Sequence, residues 1–337
     1  MKHQIRKLWT LAGLCLILVL PAQGEGKPFI LKFATLAPEG SAWMKTFHKV
    51  NSELDSRTGG ALKMRAYPGG VMGDDQAVLR KMRIGQLHMA GITGLGLGFL
   101  CNDIQVLGAP FLFQNYDEVD YVLSRVTDRF EQIIKEKGYI LVNWSEFGFI
   151  YMMSTKPINT LEDLQGAKVW MPEGDPIAQG VFEKAGVSAI PLQISDVLMA
   201  LKTGLVDVIY SPPVGAIILQ WHTKVKYLTR VPLSYSLGGV VMTKEALTQI
   251  SKDHRKILRE IFLDNVTSLN AQTRKNNEEA LQVMERSGIT FTDVTPQELA
   301  RLQGIAQEAT VELAGKAFPK EGLEEIYKYL REVTGQQ

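Results

Sequence analysis

Apolar and polar positions change period several times along this chain, and each change marks an element. Phe29-Ile30-Leu31-Lys32-Phe33-Ala34 is a short apolar run that reads as a strand. Trp43, Phe47, Val50 and Leu54 then recur at helical spacing behind Ser41, a good N-cap, and "RTGG" ends the helix at Gly59. Leu62 to Tyr67 alternates as a half-buried strand does and stops at Pro68-Gly69. Asp74 or Asp75 caps a helix through Arg83, Gly85 closes it, and "QLHMAGI" is a further strand. Strand and helix alternate here as they do in a mostly parallel sheet with covering helices.

The second half repeats the grammar. Thr160-Leu161-Glu162-Asp163 opens as a capping box and "GAKVWMP" follows as a strand. Pro176 to Ala185 is helical, Ser195 caps a helix ending at Gly204, and "LVDVIYS" is a strand. "DDQAVLRKMRIGQLHMAGI" and "SDVLMALKTGLVDVIYS" share one layout of capped helix, terminal glycine and strand. We read them as one unit used once in each of two α/β lobes, whose strand ends face each other across a cleft. Beyond residue 243 the chain is helical and charged, with Leu247, Ile250, Ile257, Ile261 and Val266 as an apolar stripe bracing the lobes. "GITFTDV" is a short strand, and helix returns from Pro296 to Gly315.

Composition excludes more than it assigns. The 337 residues are 45% hydrophobic and 22% charged, with a formal net charge of +1, which leaves no electrostatic footprint for nucleic acid. Lys2, Arg6 and Lys7 precede an apolar Leu8–Leu20 stretch, and Ala22-Gln23-Gly24 has the small residues of a cleavage site. We expect residues 1–24 to be a signal peptide cut near Gly24 and the remainder to be periplasmic. Cys101 is then the single cysteine, a buried small hydrophobe with no disulfide partner.

Chemistry is sparse. The five histidines form no HxxxH or HxH pair, so no metal site is expected. No nucleophile motif, dinucleotide fingerprint or phosphate loop is present, and "GLGLGF" at 94–99 reads as a turn. We expect neither catalytic residues nor a cofactor. What stands out is aromatic residues at expected strand ends: Trp144 and Phe147 in "VNWSEFGF", Trp170 in "VWMP" and Tyr210 in "DVIYSPP". Trp170, at a strand tip beside a turn, is expected to be only partly buried. Together these residues suggest a lined cleft.

Four stretches carry a family resemblance: "RTGGALKMRAYPGGVMGDDQAVLRKMRIGQLHMAGI", "QVLGAPFLFQNYDEV", "KPINTLEDLQGAKVWMP" and "PLQISDVLMALKTGLVDV". From Lys32 to about Leu247, and more loosely beyond, the chain resembles the DctP-type solute-binding proteins of tripartite ATP-independent periplasmic (TRAP) transporters. The resemblance implies a two-lobed α/β fold of the periplasmic-binding-protein kind, each lobe a mixed, mostly parallel sheet, with a long bracing helix near the C-terminus. It places residues 25–147 in lobe 1, with 236–275 returning to it, and 148–235 in lobe 2, with 276–337 packing on both. It also implies a monomer that encloses a small organic solute and hands it to membrane subunits.

The departures from the family pattern bear on the ligand. Carboxylate-binding members carry Arg in a K-[IV]-R-x-P segment, where this chain has Lys168-Val169-Trp170-Met171-Pro172. A second Arg position is Ile150, and the usual polar triplet is Ile209-Tyr210-Ser211. An enclosed carboxylate without a bidentate Arg loses several kcal/mol of compensation. We therefore expect an apolar, aromatic or amphipathic solute, walled by Trp170, Ile209 and Tyr210, with Ser211 reading a hydroxyl or carbonyl. Thr35, Leu36, Thr93, Phe149, Tyr151, Trp144 and Glu146 complete the expected site. Trp170→Arg is expected to weaken native binding and admit a small carboxylate. Three alternatives stay open: a carboxylate paired with Arg65, Arg80 or Arg230, a sensory ligand-binding protein, and an exported hydrolase.

Overall fold

The computed structural model describes residues 27–335, so the expected signal peptide lies outside the described residues. Lobe 1 opens with β1 (Phe29–Thr35), α1 (Ala42–Arg57), β2 (Leu62–Tyr67), α2 (Asp75–Arg83) and β3 (Met89–Thr93). A short α3 (Gly94–Gly98), a 3-10 segment over Asn102–Gly108 and α4 (Tyr116–Glu136) lead into the long β4 (Tyr139–Ser154). Lobe 2 holds α5 (Leu161–Gln165), β5 (Val169–Pro172), α6 (Pro176–Lys184), β6 (Ala189–Leu192), α7 (Val197–Thr203), β7 (Val208–Ser211) and α8 (Pro213–Ile218). The second long strand, β8 (Tyr227–Thr243), is followed by α9 (Lys244–Thr248), α10 (Lys252–Arg286), β9 (Thr290–Thr292), α11 (Pro296–Leu313) and α12 (Lys320–Thr334).

The strands form one continuous path, β2-β1-β3-β8-β4-β7-β5-β6, with β9 added beside β8. β1 pairs in parallel with β2 and β3, and β5 in parallel with β6 and β7. Between these two parallel groups run β8 and β4, antiparallel to each other and to their outer neighbours. Two strands of this length belong to both lobes at once, and we call the crossing between the lobes the hinge. Irregularities between Leu141/Asn143, Glu146/Gly148 and Ile150/Met153 break their ladder where the chain passes between lobes.

Local signals explain the helix ends. The side chains of Ser41, Asp74, Asn115 and Thr295 accept backbone amides at the N-termini of their helices, and Thr160 and Asp163 form the expected reciprocal box. Three expectations are corrected. "GLGLG" is a helix, because Thr93 Oγ1 caps it by accepting the Gly96 amide. Ser195 caps nothing: its hydroxyl bonds Asp196, and a 3-10 turn over Ile194–Asp196 precedes α7. Trp144 and Phe147 lie in mid-strand, since "VNWSEFGF" is the centre of β4.

α10, at 35 residues, is about 52 Å long and reaches both lobes. Its first half buries Leu258, Ile261, Phe262 and Val266 in the lobe 1 core with Phe47 and Val50 of α1. Its far end buries Met284 in the lobe 2 core beside Trp221 and Leu228. Leu247 and Ile250, assigned from sequence to the same stripe, precede this helix.

Between the two apolar ends, α10 presents Asn270, Arg274 and Asn277 to the hinge. Asn270 Oδ1 accepts the Glu146 amide at 3.0 Å while its Nδ2 donates to Trp144 O at 3.0 Å. Asn277 Nδ2 donates to Phe147 O at 2.8 Å, and its Oδ1 accepts the Val214 amide at 3.1 Å. Arg274 grips Glu146 through Nε and Nη2 at 2.6 and 2.9 Å, binds both oxygens of Asp120, and lies over the Tyr116 ring. Tyr235 donates to the same Glu146 at 2.7 Å. Hydrogen bonding to Asp120 pushes the Arg274 pKa up, opposed by partial burial. Gly148 fits under this array because it has φ +101° and no Cβ, which would lie 2.3 Å from Asn277 Nδ2.

Asp75 sits under the turn from β3 to α3. Its carboxylate accepts from the Thr93 amide and hydroxyl, and its Cγ leaves no room for a Cβ on Gly96. Burial pushes its pKa up from 3.8 to about 6, against the pull of the Thr93 bonds.

Two measurements follow. Asn277→Ala leaves the Phe147 carbonyl and Val214 amide unpaired, and should lower unfolding free energy in urea by roughly 2–3 kcal/mol; a loss below about 0.5 kcal/mol would show that these two bonds do not hold α10 to β4 and α8. For Asp75 the folded pKa lies above the unfolded value, so its contribution is fully present below pH 3.8 and lost as pH rises through about 6. Melting temperature followed from pH 4 to 7 should decline less in Asp75→Asn than in the parent; parallel curves would show that Asp75 does not titrate there.

Candidate functional site

The ends of β1 and β3 face those of β5 and β7 across the hinge, and a cavity of about 180 Å³ lies between them. Lobe 1 supplies the β1–α1 connection, Thr35 to Pro38, with Trp43 and Phe47 of α1 and Gly91 to Thr93 of β3. Lobe 2 supplies Trp170, Ile194, Tyr210, Ser211 and the α8 side from Pro212 to Leu219, closed below by Trp221. Ser145 and Phe147 of β4 and Leu269 of α10 form the back.

Backbone close approach builds this pocket. Gly238 and Gly239 of β8 stand where a Cβ would lie 2.2 Å from Ile92 O and 2.7 Å from Leu141, so β3, β8 and β4 can come together behind the cavity. On the lobe 1 side, Thr35 Oγ1 accepts the Ala37 amide and fixes the turn after β1. Trp43 packs edge-on against Phe147 at 4.3 Å, with its Nε1 donating to Thr273 on α10.

The lobe 2 wall is aromatic. Trp170 packs against Tyr210 and Trp221, each with ring centroids 5.2 Å away. Contrary to the sequence expectation, Trp170 is only 3% exposed. Its Nε1 donates to Leu192 O at 3.1 Å, so it offers an apolar face and no free donor. Ser211 turns its hydroxyl back onto Pro212 O, and the Tyr210 hydroxyl is buried without a partner. Burial pushes the Tyr210 pKa well up, helped by the Asp175 carboxylate.

Six of the sequence-predicted residues line this cavity: Thr35, Leu36, Thr93, Trp170, Tyr210 and Ser211. Five do not. Ile209 points the opposite way from Val208 and is fully buried in the lobe 2 core. Phe149 packs edge-on to Tyr116 and Tyr235, and Tyr151 packs on the same core as Ile209. Trp144 lies against Phe130 and donates to Thr127 Oγ1. Glu146 is held by Arg274 and Tyr235. All but Ile209 belong to β4, where the bulges make face assignment from alternation fail.

Sequence reasoning missed Ile194, Val214 and Trp221 as cavity residues. Only Trp221 carried a signal, as a bulky aromatic after the α8 helix. The three candidate cations are elsewhere. Arg65 and Arg80 are exposed, the first over Tyr67. Arg230 is half exposed beside Glu285 and Asp293. Among the described residues lining the cavity there is no Asp, Glu, Lys, Arg or His, and no cluster of potential metal ligands occurs among the described residues. Nor is any described helix long and apolar enough to cross a membrane.

Known proteins share this architecture. The pattern of bacterial extracellular solute-binding protein family 7, DctP, matches residues 33–316. The C4-dicarboxylate-binding periplasmic protein DctP of Rhodobacter capsulatus is 24% identical over 315 residues, covering 92% of this chain and 94% of that one. The sialic acid-binding periplasmic protein SiaP of Vibrio cholerae is 22% identical, covering 79% and 84%. Among solved structures, the sugar acid binding protein DctPAm of Advenella mimigardefordensis, in complex with galactonate, superposes with a TM-score of 0.85 at 21% identity, over 91% of this chain and 99% of that one. A TRAP periplasmic solute-binding protein of Sulfurospirillum deleyianum with bound succinate gives a TM-score of 0.81 at 18% identity, over 89% and 97%. The chain belongs to the DctP family: it is a non-enzymatic, extracytoplasmic solute-binding protein of the TRAP type.

Proposed function

We propose that this protein encloses a small organic solute with mostly apolar surface, aromatic or amphipathic, in the interlobe cavity and presents it to TRAP membrane subunits. The observation that carries this reading is the absence of any charged side chain among the described residues lining the cavity. Its relatives' names and structures record C4-dicarboxylates, galactonate and succinate. Such anions need charge-assisted partners once enclosed, and here the Arg position of the family holds Trp170. Trp170, Tyr210 and Trp221 offer rings in place of a guanidinium. Arg274, which faces β4 from α10, is committed to Glu146 and Asp120.

The protein acts as a monomer in the periplasm after removal of residues 1–24. Residues 25–147 with 236–275 act as one lobe and 148–235 as the other, with 276–337 on both.

Ligand screening by thermal shift tests the solute class. Indole and benzyl alcohol should raise the melting temperature, while succinate, malate and galactonate should leave it within experimental scatter; the reverse order would sink the proposal. The burial of Trp170 also revises what Trp170→Arg does. A guanidinium between Tyr210 and Trp221 meets no carboxylate among the described residues lining the cavity, so we expect the variant to lose roughly 3 kcal/mol or more of stability in urea. A Trp170→Arg protein as stable as the parent, gaining succinate binding, would show that position 170 opens to the cavity.

A further inference from the structure

A second cavity, of about 240 Å³, lies on the other face of the lobe 2 sheet. Alternation along the strands separates the two. Val169 and Val208 line the second cavity, whereas Trp170 and Ser211 line the first. Tyr210 is the one residue common to both linings. Val181 and Phe182 of α6 and Leu302 and Ile305 of α11 form the far wall. None of the described residues lining it is Lys, Arg or His.

Asn159, Thr160 and Thr229 lie at the end away from lobe 1, and two further hydroxyls, of Tyr210 and Ser234, lie toward it. Tyr210 follows Val208 toward the C-terminal end of β7, and Ser234 pairs with Ile150 beside the hinge. Ser234 is 9% exposed. The Tyr210 hydroxyl is buried without a partner. Asp175 caps α6 through Oδ1, which accepts the Ile177 and Ala178 amides. Burial raises its pKa. Thr160 Oγ1 accepts the Asp163 amide, Thr229 donates to Ile158 O, Tyr235 donates to Glu146, and Asn159 is exposed. A buried hydroxyl without a partner is uncommon, and the one on Tyr210 points to something that supplies it.

We infer that this cavity is a second binding site, separate from the cleft, for an uncharged lipophile with a single ketone or hydroxyl group. The head would meet Ser234 and Tyr210, and the hydrocarbon would run toward Leu302 and Ile305. An apolar cavity of about 150 Å³ already accepts benzene, so this one suits a chain of about eight to ten carbons. A carboxylate head is disfavoured because the one ionisable group among the described lining residues, apart from tyrosine, is Asp175, and none of them is a cation.

Methyl NMR of the full chain titrated with 2-nonanone, nonane and nonanoate at pH 7.5 tests this. We expect 2-nonanone to shift the methyls of Ile158, Val181, Leu302 and Ile305, and nonanoate to bind at least tenfold more weakly. Ala306→Phe, which fills the cavity from α11, should weaken 2-nonanone at least tenfold. Ser234→Ala should weaken the ketone about fivefold and leave nonane unchanged. Three results would overturn the inference: no shift at those methyls, nonanoate binding as tightly as the ketone, or Ile194 and Ile218 of the cleft shifting at the same midpoint. The last would mean one ligand spanning both cavities. The cleft reading stands or falls on the cleft methyls alone, so the two failures are distinguishable.

Discussion

The attachment of α10 to the hinge strands is the constraint on which the two-lobed arrangement rests. A strand with bulges leaves backbone amides and carbonyls without ladder partners, and each of these is costly to bury unpaired. Asn270 and Asn277 supply the missing partners from one helix face, and Arg274 between them neutralises Glu146. Because Asn277 also accepts the Val214 amide, one side chain holds both the hinge and the first turn of a lobe 2 helix. The helix is thus anchored by apolar burial at each end and by directional bonds at its centre. The continuous β4–β8 pair and the buried ends of α10 join the lobes, and the central bonds fix where the helix sits against the strands.

Much of this was legible in sequence because it is local. Ser41, Asp74 and Thr160 announce their helices through cap chemistry, and Gly204 ends α7 in the left-handed conformation that only glycine adopts freely. What failed was non-local. The extent of β4 and β8 depends on each strand pairing with the other across the chain, which no window of sequence reveals. Once bulges shift the register, the side-chain faces of Phe149 and Tyr151 cannot be counted from one end. The polar triplet Asn270, Arg274 and Asn277 sits at helical spacing in plain view. It reads as a solvated face until the strand it serves is known.

The cavity shows the same division. Thr35, Thr93, Trp170 and Tyr210 reach the cavity because they lie where parallel strands end, a position at which open α/β sheets bind ligands. Trp221 and Val214 come from segments without strand-end logic, and only the fold brings them in. Glu146 was mistaken for a site residue because an acidic group in an aromatic run looks functional. Its partner lies 128 positions away.

Trp170 carries a consequence for selectivity. Its one polar atom is satisfied by the Leu192 carbonyl, so what it presents is shape. A wall that measures size alone separates homologues differing by a methylene by only about 10- to 200-fold, whereas a site built on hydrogen bonds rejects a solute lacking them far more sharply. On the proposed reading, such a receptor sorts by exclusion: hydrated solutes are turned away by the cost of drying them, and those that enter are ranked coarsely. That reading suits it to gathering a chemical class rather than a single compound.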